Sequence, residues 1–214
     1  EEKLRLLKDH GVTRICINPQ SFSDDTLRKI GRKHTAADVY RAFEMSAKYN
    51  FEINLDLIAG LADETLADFE KSLEAAGGLA PENITVHCLC LKAGAKLKEE
   101  TSYLDAPVVS EMVEKSRQVL PENGYRPYYL YRQKYQAGNN ENVGWAKKGA
   151  ECVYNIDVME EIADNIAVGA NAVSKKVTFS DGKITRYASP KDLKTYIEKI
   201  DEIIAKKAEF FDRG

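Results

Sequence analysis

A pair of cysteines at metal-binding spacing is missing from this chain: the four it has, Cys16, Cys88, Cys90 and Cys152, form no CxxC. Cys88-x-Cys90 would share one face of a strand, but without a second pair it makes a poor tetrahedral site. The cysteines do not read as a disulfide framework either. Three of them sit in apolar, strand-like surroundings, where an unpaired Cys behaves as a small buried hydrophobe, and 214 residues suffice for a core without staples. A reducing, cytoplasmic setting is therefore expected. No apolar run approaches the roughly 20 residues that a membrane helix needs. An excess of charge is lacking too. Lys and Arg total 31 against 34 Asp and Glu, a formal net charge of −3, which gives no electrostatic case for nucleic acid or an anionic membrane. The sequence does not open on Met, and its charged start, Glu1-Glu2-Lys3-Leu4-Arg5, is not what a secretory signal is expected to look like. Leu4, Leu6 and Leu7 fall in an amphipathic helix already under way, so the chain reads as a truncated piece of a longer polypeptide.

What is present is ordinary for a globular α/β protein: 43% hydrophobic and 30% charged residues. Residues 2–10 read as a helix ended by Gly11, and Val12 to Asn18 as a strand. Ser23-Asp24-Asp25 caps a short helix running to Ile30. Thr35-Ala-Ala-Asp38 resembles a capping box opening a helix with Val39, Ala42, Phe43 and Ala47 on one face. Ile53 to Ile58 form an apolar strand interrupted by Asn54 and Asp56. Asp63-Glu64-Thr65 starts the next helix, Ile84 to Leu91 form a third strand, and 107–120 another helix. Strand and helix alternate at intervals of roughly 30 residues, the pattern of βαβ units in a parallel sheet. Beyond it, 125–135 is a Tyr-rich strand and 137–149 a Gly- and Asn-rich loop. Val168 to Val177 and Lys183 to Tyr187 make a β-hairpin turned by Ser180-Asp181-Gly182, and a final amphipathic helix carries Leu193, Ile197, Ile200 and Ile204. The expected division is 1–122 for the βα units and 123–214 for an appended α+β region.

Parallel βα units place their working residues at the carboxyl ends of strands. That rule selects Gln20 after the first strand, Asp56 late in the second, and His87 to Cys90 at the end of the third. The aromatic stretch is a second candidate. Tyr125, Tyr128, Tyr129, Tyr131 and Tyr135 suit stacking on a flat ligand, and Arg126, Arg132 and Lys134 suit pairing with carboxylates. A half-buried strand favours Tyr equally well, so the composition leaves both readings open.

Several of these segments together resemble one family. Arg14-Ile-Cys-Ile-Asn-Pro-Gln-Ser-Phe22, Leu27-Arg-Lys-Ile-Gly-Arg-Lys-His34, Ile53-Asn-Leu-Asp-Leu-Ile-Ala-Gly-Leu61 and Pro81-Glu-Asn-Ile-Thr-Val-His-Cys-Leu89 are similar in content and spacing to oxygen-independent coproporphyrinogen oxidases. These are radical S-adenosylmethionine (SAM) enzymes. Tyr128-Tyr-Leu-Tyr-Arg-Gln-Lys134, Gly138-Asn139, Glu141-Asn-Val-Gly144 and Val168-Gly-Ala-Asn-Ala-Val-Ser174 look like its coproporphyrinogen dehydrogenase branch. Ala62-Asp63 departs from the family's Pro-Gly.

The resemblance implies a partial (β/α)6 barrel, of which this chain supplies the later strands and the carboxy-terminal cap. It implies SAM contacts at Gln20, Arg32 and Asp56, a backbone contact at Cys90, and a second approach at Val173. With that family's substrate in view, the aromatic and basic stretch read above from its composition would turn Tyr129, Tyr131, Arg132 and Lys134 toward a porphyrinogen, the half-buried strand remaining the other reading. The reaction implied is oxidative decarboxylation of two propionates of coproporphyrinogen III to vinyl groups, begun by a 5′-deoxyadenosyl radical; a haem-binding or haem-transfer role on the same scaffold is the alternative. Such chemistry needs a [4Fe–4S] cluster on a CxxxCxxC motif, which these 214 residues do not contain. The chain alone is expected to be inactive, with no catalytic residue or metal ligand of its own, and to depend on the upstream half of the same polypeptide and an electron donor that the sequence does not name. A strand edge left open at Val12 to Asn18 is expected either to promote self-association or to be covered by another element of the chain. Sedimentation velocity should find concentration-dependent oligomers in the first case, and a clean monomer with that strand fully paired internally would refute the expectation.

Overall fold

The computed structural model describes residues 1–90, 106–134 and 136–212, so Tyr135 and the Leu91 end of the third expected strand lie outside the described residues. The chain forms two compact units, Glu1–Glu151 and Cys152–Gly214.

The first unit alternates as the sequence leads one to expect. It runs through α1 (Glu2–Asp9), β1 (Arg14–Gln20), α2 (Asp24–Lys29), α3 (Ala36–Ala47), β2 (Glu52–Ala59), α4 (Leu66–Leu79), β3 (Asn83–Cys88), α5 (Ala106–Glu122), β4 (Arg126–Tyr131) and β5 (Asn142–Ala146). The caps are those legible in the sequence. Ser23 accepts a hydrogen bond from the Thr26 amide, and Thr35 with Asp38 closes a reciprocal capping box. A second box, Thr65 with Asp68, starts α4.

The sheet has the order β1-β2-β3-β5-β4. The β1–β2 and β2–β3 pairs are parallel, whereas β5 is antiparallel to both its neighbours. Among the described residues β1 has a strand partner on one side only, so its other edge is open. Core side chains come from one face of this sheet. Ile53, Leu55, Leu57 and Ala59 of β2 and Ile84, Val86 and Cys88 of β3 pack with Phe69 and Leu73 of α4 and Met112, Val113 and Leu120 of α5. Tyr125 is buried with its hydroxyl donating to the Pro81 carbonyl at 2.7 Å, which fixes the entry to β4. Strand β2 alternates strictly between buried and half-buried positions. Only one face of it is therefore given to the core, which leaves the other to polar residues.

Three expectations are corrected. The 137–149 segment is not a plain loop, because Asn142 to Ala146 form the strand between β3 and β4, with every residue buried. As a result the chain does not divide at 122/123. The two strands after α5 complete the first unit's sheet, and the division falls after Glu151. The terminal helix is broken at Lys199 into two.

The second unit holds α6 (Val153–Met159), the antiparallel hairpin β6 (Val173–Thr178) and β7 (Lys183–Ala188), α7 (Leu193–Glu198) and α8 (Ile200–Phe211). Glu161 pairs with Lys175 at 3.1 Å and Arg186 at 3.4 Å across the hairpin. Among the described residues no helix is long and apolar enough to cross a membrane.

Candidate functional site

The site lies on the sheet face opposite the core, and the period of two along each strand builds it. Cys16 comes from β1, Asn54 and Asp56 from β2, Thr85 and His87 from β3, Tyr129 and Tyr131 from β4. The Asn54 side-chain amide donates to Asp56 Oδ1 at 2.6 Å and lies 2.9 Å from Cys16 Sγ, while Thr85 donates to Asn54 Oδ1 at 3.1 Å. His87 Nε2 stands 3.7 Å from the same Asp56 Oδ1. On its other edge, His87 Nδ1 is 3.2 Å from the Tyr131 hydroxyl. The rings of Tyr129 and Tyr131 are nearly parallel, 7° apart with centroids at 6.3 Å, and the Tyr129 hydroxyl lies 3.4 Å from that of Thr85.

Asp56 is the centre of this arrangement. Both protein contacts fall on Oδ1, so Oδ2 is left as an acceptor without a protein partner among the described residues. Burial pushes the phenols of Tyr129 and Tyr131 above their ordinary range, so both stay neutral donors.

Gln20 closes β1 at the carboxyl end of the sheet, on an irregular backbone. Ile17 pairs with Leu55 but Gln20 with Leu57, so β1 carries one residue more than β2, and the bulge falls at Asn18-Pro19. Gln20 then adopts φ +68°, a left-handed conformation rare for a residue with a side chain, and is only 7% exposed. The next residue holds it in place. Ser21 donates to Glu64 Oε1 at 2.6 Å, and Ser72 receives the Phe22 amide at 3.0 Å. Glu64 was not singled out in the sequence, where Asp-Glu-Thr reads as a helix start. It is 8% exposed, its Oε2 has no partner among the described residues, and desolvation by burial raises its pKa to about 7 from an ordinary 4.5.

Arg32 stands in the loop between α2 and α3. That loop is tied to the end of β1, since His34 Nε2 lies 3.2 Å from the Pro19 carbonyl. The guanidinium is exposed and has no partner among the described residues. Cys90 bridges to Gln136 and donates its thiol to the Lys134 carbonyl at 2.9 Å, which ties the end of β3 to the segment after β4. Arg132 is already engaged, 2.9 Å from Glu141, which also takes Arg117. Val173 opens β6 in the second unit and is 45% exposed.

These side chains suit a nucleoside-like ligand carrying hydroxyls, an ammonium and a carboxylate. Asp56 offers an acceptor, Arg32 a two-pronged cation and Gln20 either role. They do not suit an iron–sulfur cluster. Among the described residues no three His, Cys, Asp or Glu side chains are placed to hold a metal ion. Cys88 is buried, with its pKa raised by desolvation to about 11, far from the thiolate a cluster requires.

The profile of the radical SAM superfamily matches residues 1–76. The oxygen-independent coproporphyrinogen-III oxidase-like protein HemZ of Bacillus subtilis is 40% identical, over 100% of this chain and 43% of its own length. The heme chaperone HemW of Haemophilus influenzae is 30% identical over 87% of this chain and 46% of its own. Among solved structures, coproporphyrinogen III oxidase (HemN) from Escherichia coli superposes with a TM-score of 0.69 at 17% identity, covering 94% of this chain and 46% of that one. The likeness to HemN extends to the fold. The chain spans less than half the length of each of these relatives.

Proposed function

Because this chain belongs to the radical SAM superfamily, among the oxygen-independent coproporphyrinogen-III oxidase-like proteins, we propose that it forms the SAM- and porphyrinogen-facing part of an oxidative decarboxylase. The observation that carries the reading is the half-buried Asp56 carboxylate, hydrogen-bonded by Asn54 and approached by His87 on Oδ1, with Oδ2 open among the described residues. When bound beside a reduced cluster, SAM supplies hydrogen-atom abstraction from an unactivated carbon.

This chain's residues bind and position. Asp56 accepts a hydroxyl or ammonium of SAM, Arg32 grips its carboxylate, and Gln20 meets a polar edge from its strained position. Cys90 contributes main chain beside them. Assignment of Val173 rests on the resemblance alone. Tyr129 and Tyr131 form the wall on which a tetrapyrrole stacks. Lys134 has no ion pair among the described residues and meets a propionate, whereas Arg132 would first have to leave Glu141. The cluster is supplied by a segment outside these 214 residues, and without it the chain does not cleave SAM.

The test is anaerobic reconstitution of the longer polypeptide that carries this chain, with SAM cleavage and decarboxylated porphyrinogen as readouts. Asp56→Ala is expected to weaken SAM binding by about tenfold or more, the worth of a charge-assisted hydrogen bond. Unchanged SAM affinity would remove Asp56 from the site. The similarity to a heme chaperone supports a second reading, haem binding without decarboxylation. Stoichiometric haem uptake by a protein that binds SAM yet releases no vinyl product would favour it.

A further inference from the structure

His87 differs from the other two histidines in what it touches. The chain has three. His10 and His34 each bond to a main-chain carbonyl, of Leu6 and Pro19. His87 lies between two side chains, and they belong to the two halves of the proposed site. Its Nδ1 is 3.2 Å from the hydroxyl of Tyr131, and its Nε2 is 3.7 Å from Asp56 Oδ1.

An imidazole suits this place because its two nitrogens face opposite ways on one rigid plane. Nδ1 is within hydrogen-bond distance of the Tyr131 hydroxyl, and Nε2 faces the Asp56 carboxylate at 3.7 Å, an electrostatic approach longer than a hydrogen bond. His87 pairs in register with Ile58 of β2 and sits two residues past Thr85, so the sheet fixes its position relative to Asp56. The side chain remains 27% exposed and that of Asp56 18%, so both can be reached from the open face.

We propose that His87 is a positioning residue that couples the cofactor half of the site to the substrate half, its Nε2 edge orienting Asp56 and its Nδ1 edge orienting Tyr131. This rests on the reading of Asp56 as a SAM contact and Tyr131 as a tetrapyrrole contact. Through the imidazole, the orientation of each group depends on the other, and a ligand that fixes one prepares the other.

Two amide substitutions separate the edges. The Asn amide falls near the place of Nδ1 and the Gln amide near that of Nε2. In the longer reconstituted polypeptide, SAM affinity and coproporphyrin III affinity would be measured at equilibrium for both variants, with thermal melts to establish folding. His87→Asn is expected to weaken SAM about fivefold to tenfold and leave the porphyrin within about twofold. His87→Gln is expected to do the reverse, and Tyr131→Phe to follow His87→Gln. A purely structural histidine would not split the two affinities in opposite senses. If both ligands bind the unmutated protein but the two amides behave alike, the coupling role is overturned. If the unmutated protein binds neither ligand, the underlying reading fails and the proposal falls with it.

Discussion

Replacing Glu64 by Gln is expected to stabilise the protein by about 3 kcal/mol at pH 8 and by almost nothing near pH 4.5. Burial raises the Glu64 pKa to about 7, from 4.5 for an ordinary glutamate; the hydrogen bond from Ser21 opposes this shift and Asp68 adds to it. A raised acid pKa means that the folded state holds a proton that the unfolded state releases between those two values. Stability is then fully present below about pH 4.5, falls as pH rises through about 7, and is flat above. A span of about 2.5 units corresponds to about 3 kcal/mol at 1.36 kcal/mol each. Gln has the shape of the protonated acid and no titration, so it keeps the low-pH stability throughout. Chemical denaturation of both proteins from pH 4.5 to 8 is the measurement, and parallel curves would show that Glu64 ionises without cost. The same carboxyl holds Ser21, the neighbour of Gln20. The wild-type protein should therefore loosen at the β1 end first as pH rises, a change the variant should lack.

The second large effect is expected from a single methyl group. A Cβ built on Gly144 would lie 1.8 Å from Cε1 and 2.3 Å from Cδ1 of the Tyr129 ring, far inside van der Waals contact. The ring lies across the glycine because Gly144 stands directly between Thr85 and Tyr129 in the sheet register. Gly144→Ala must drive Tyr129 out of its place, with loss of its alignment on Tyr131 and its approach to Thr85. A destabilisation of about 1–3 kcal/mol is expected from overpacking, with a changed near-ultraviolet tyrosine spectrum. Tetrapyrrole affinity should fall with it. Tyr129→Ala clears the space, so the double variant should lose less than the sum of the singles, a coupling readable in a double-mutant cycle. Additive losses would mean that the ring moves aside freely.

Much of the scaffold could be read from residues alone, because its signals are local. Period-two alternation marks β2, and Thr35 with Asp38 marks the start of α3. Asp56 and His87 stood out as polar interruptions near strand ends, a rule that needs only the direction of the chain. Strand β5 escaped because Asn-Val-Gly-Trp-Ala lacks alternation: it is buried on both faces, and its Asn and Gly suit a loop equally well. The contact of Tyr131 with His87 was beyond reach for a related reason. It joins β4 to β3 across β5, an order the sequence does not follow. Glu64 was hidden because a carboxylate before a helix is expected to be solvated, and its burial beside Ser21 is a contact with the end of β1 that the sequence does not announce. The break at Lys199 interrupts an apolar spacing that continues from Ile197 to Ile204 without a proline or glycine to announce it.

The sheet order also sets a timetable for assembly during synthesis. Strand β4 carries the tyrosines, yet it reaches β3 only through β5, which follows it in the chain. While β4 alone has left the ribosome it has no strand to lie against, and its aromatic side chains must wait in water. The aromatic wall can close only after Ala146 has emerged.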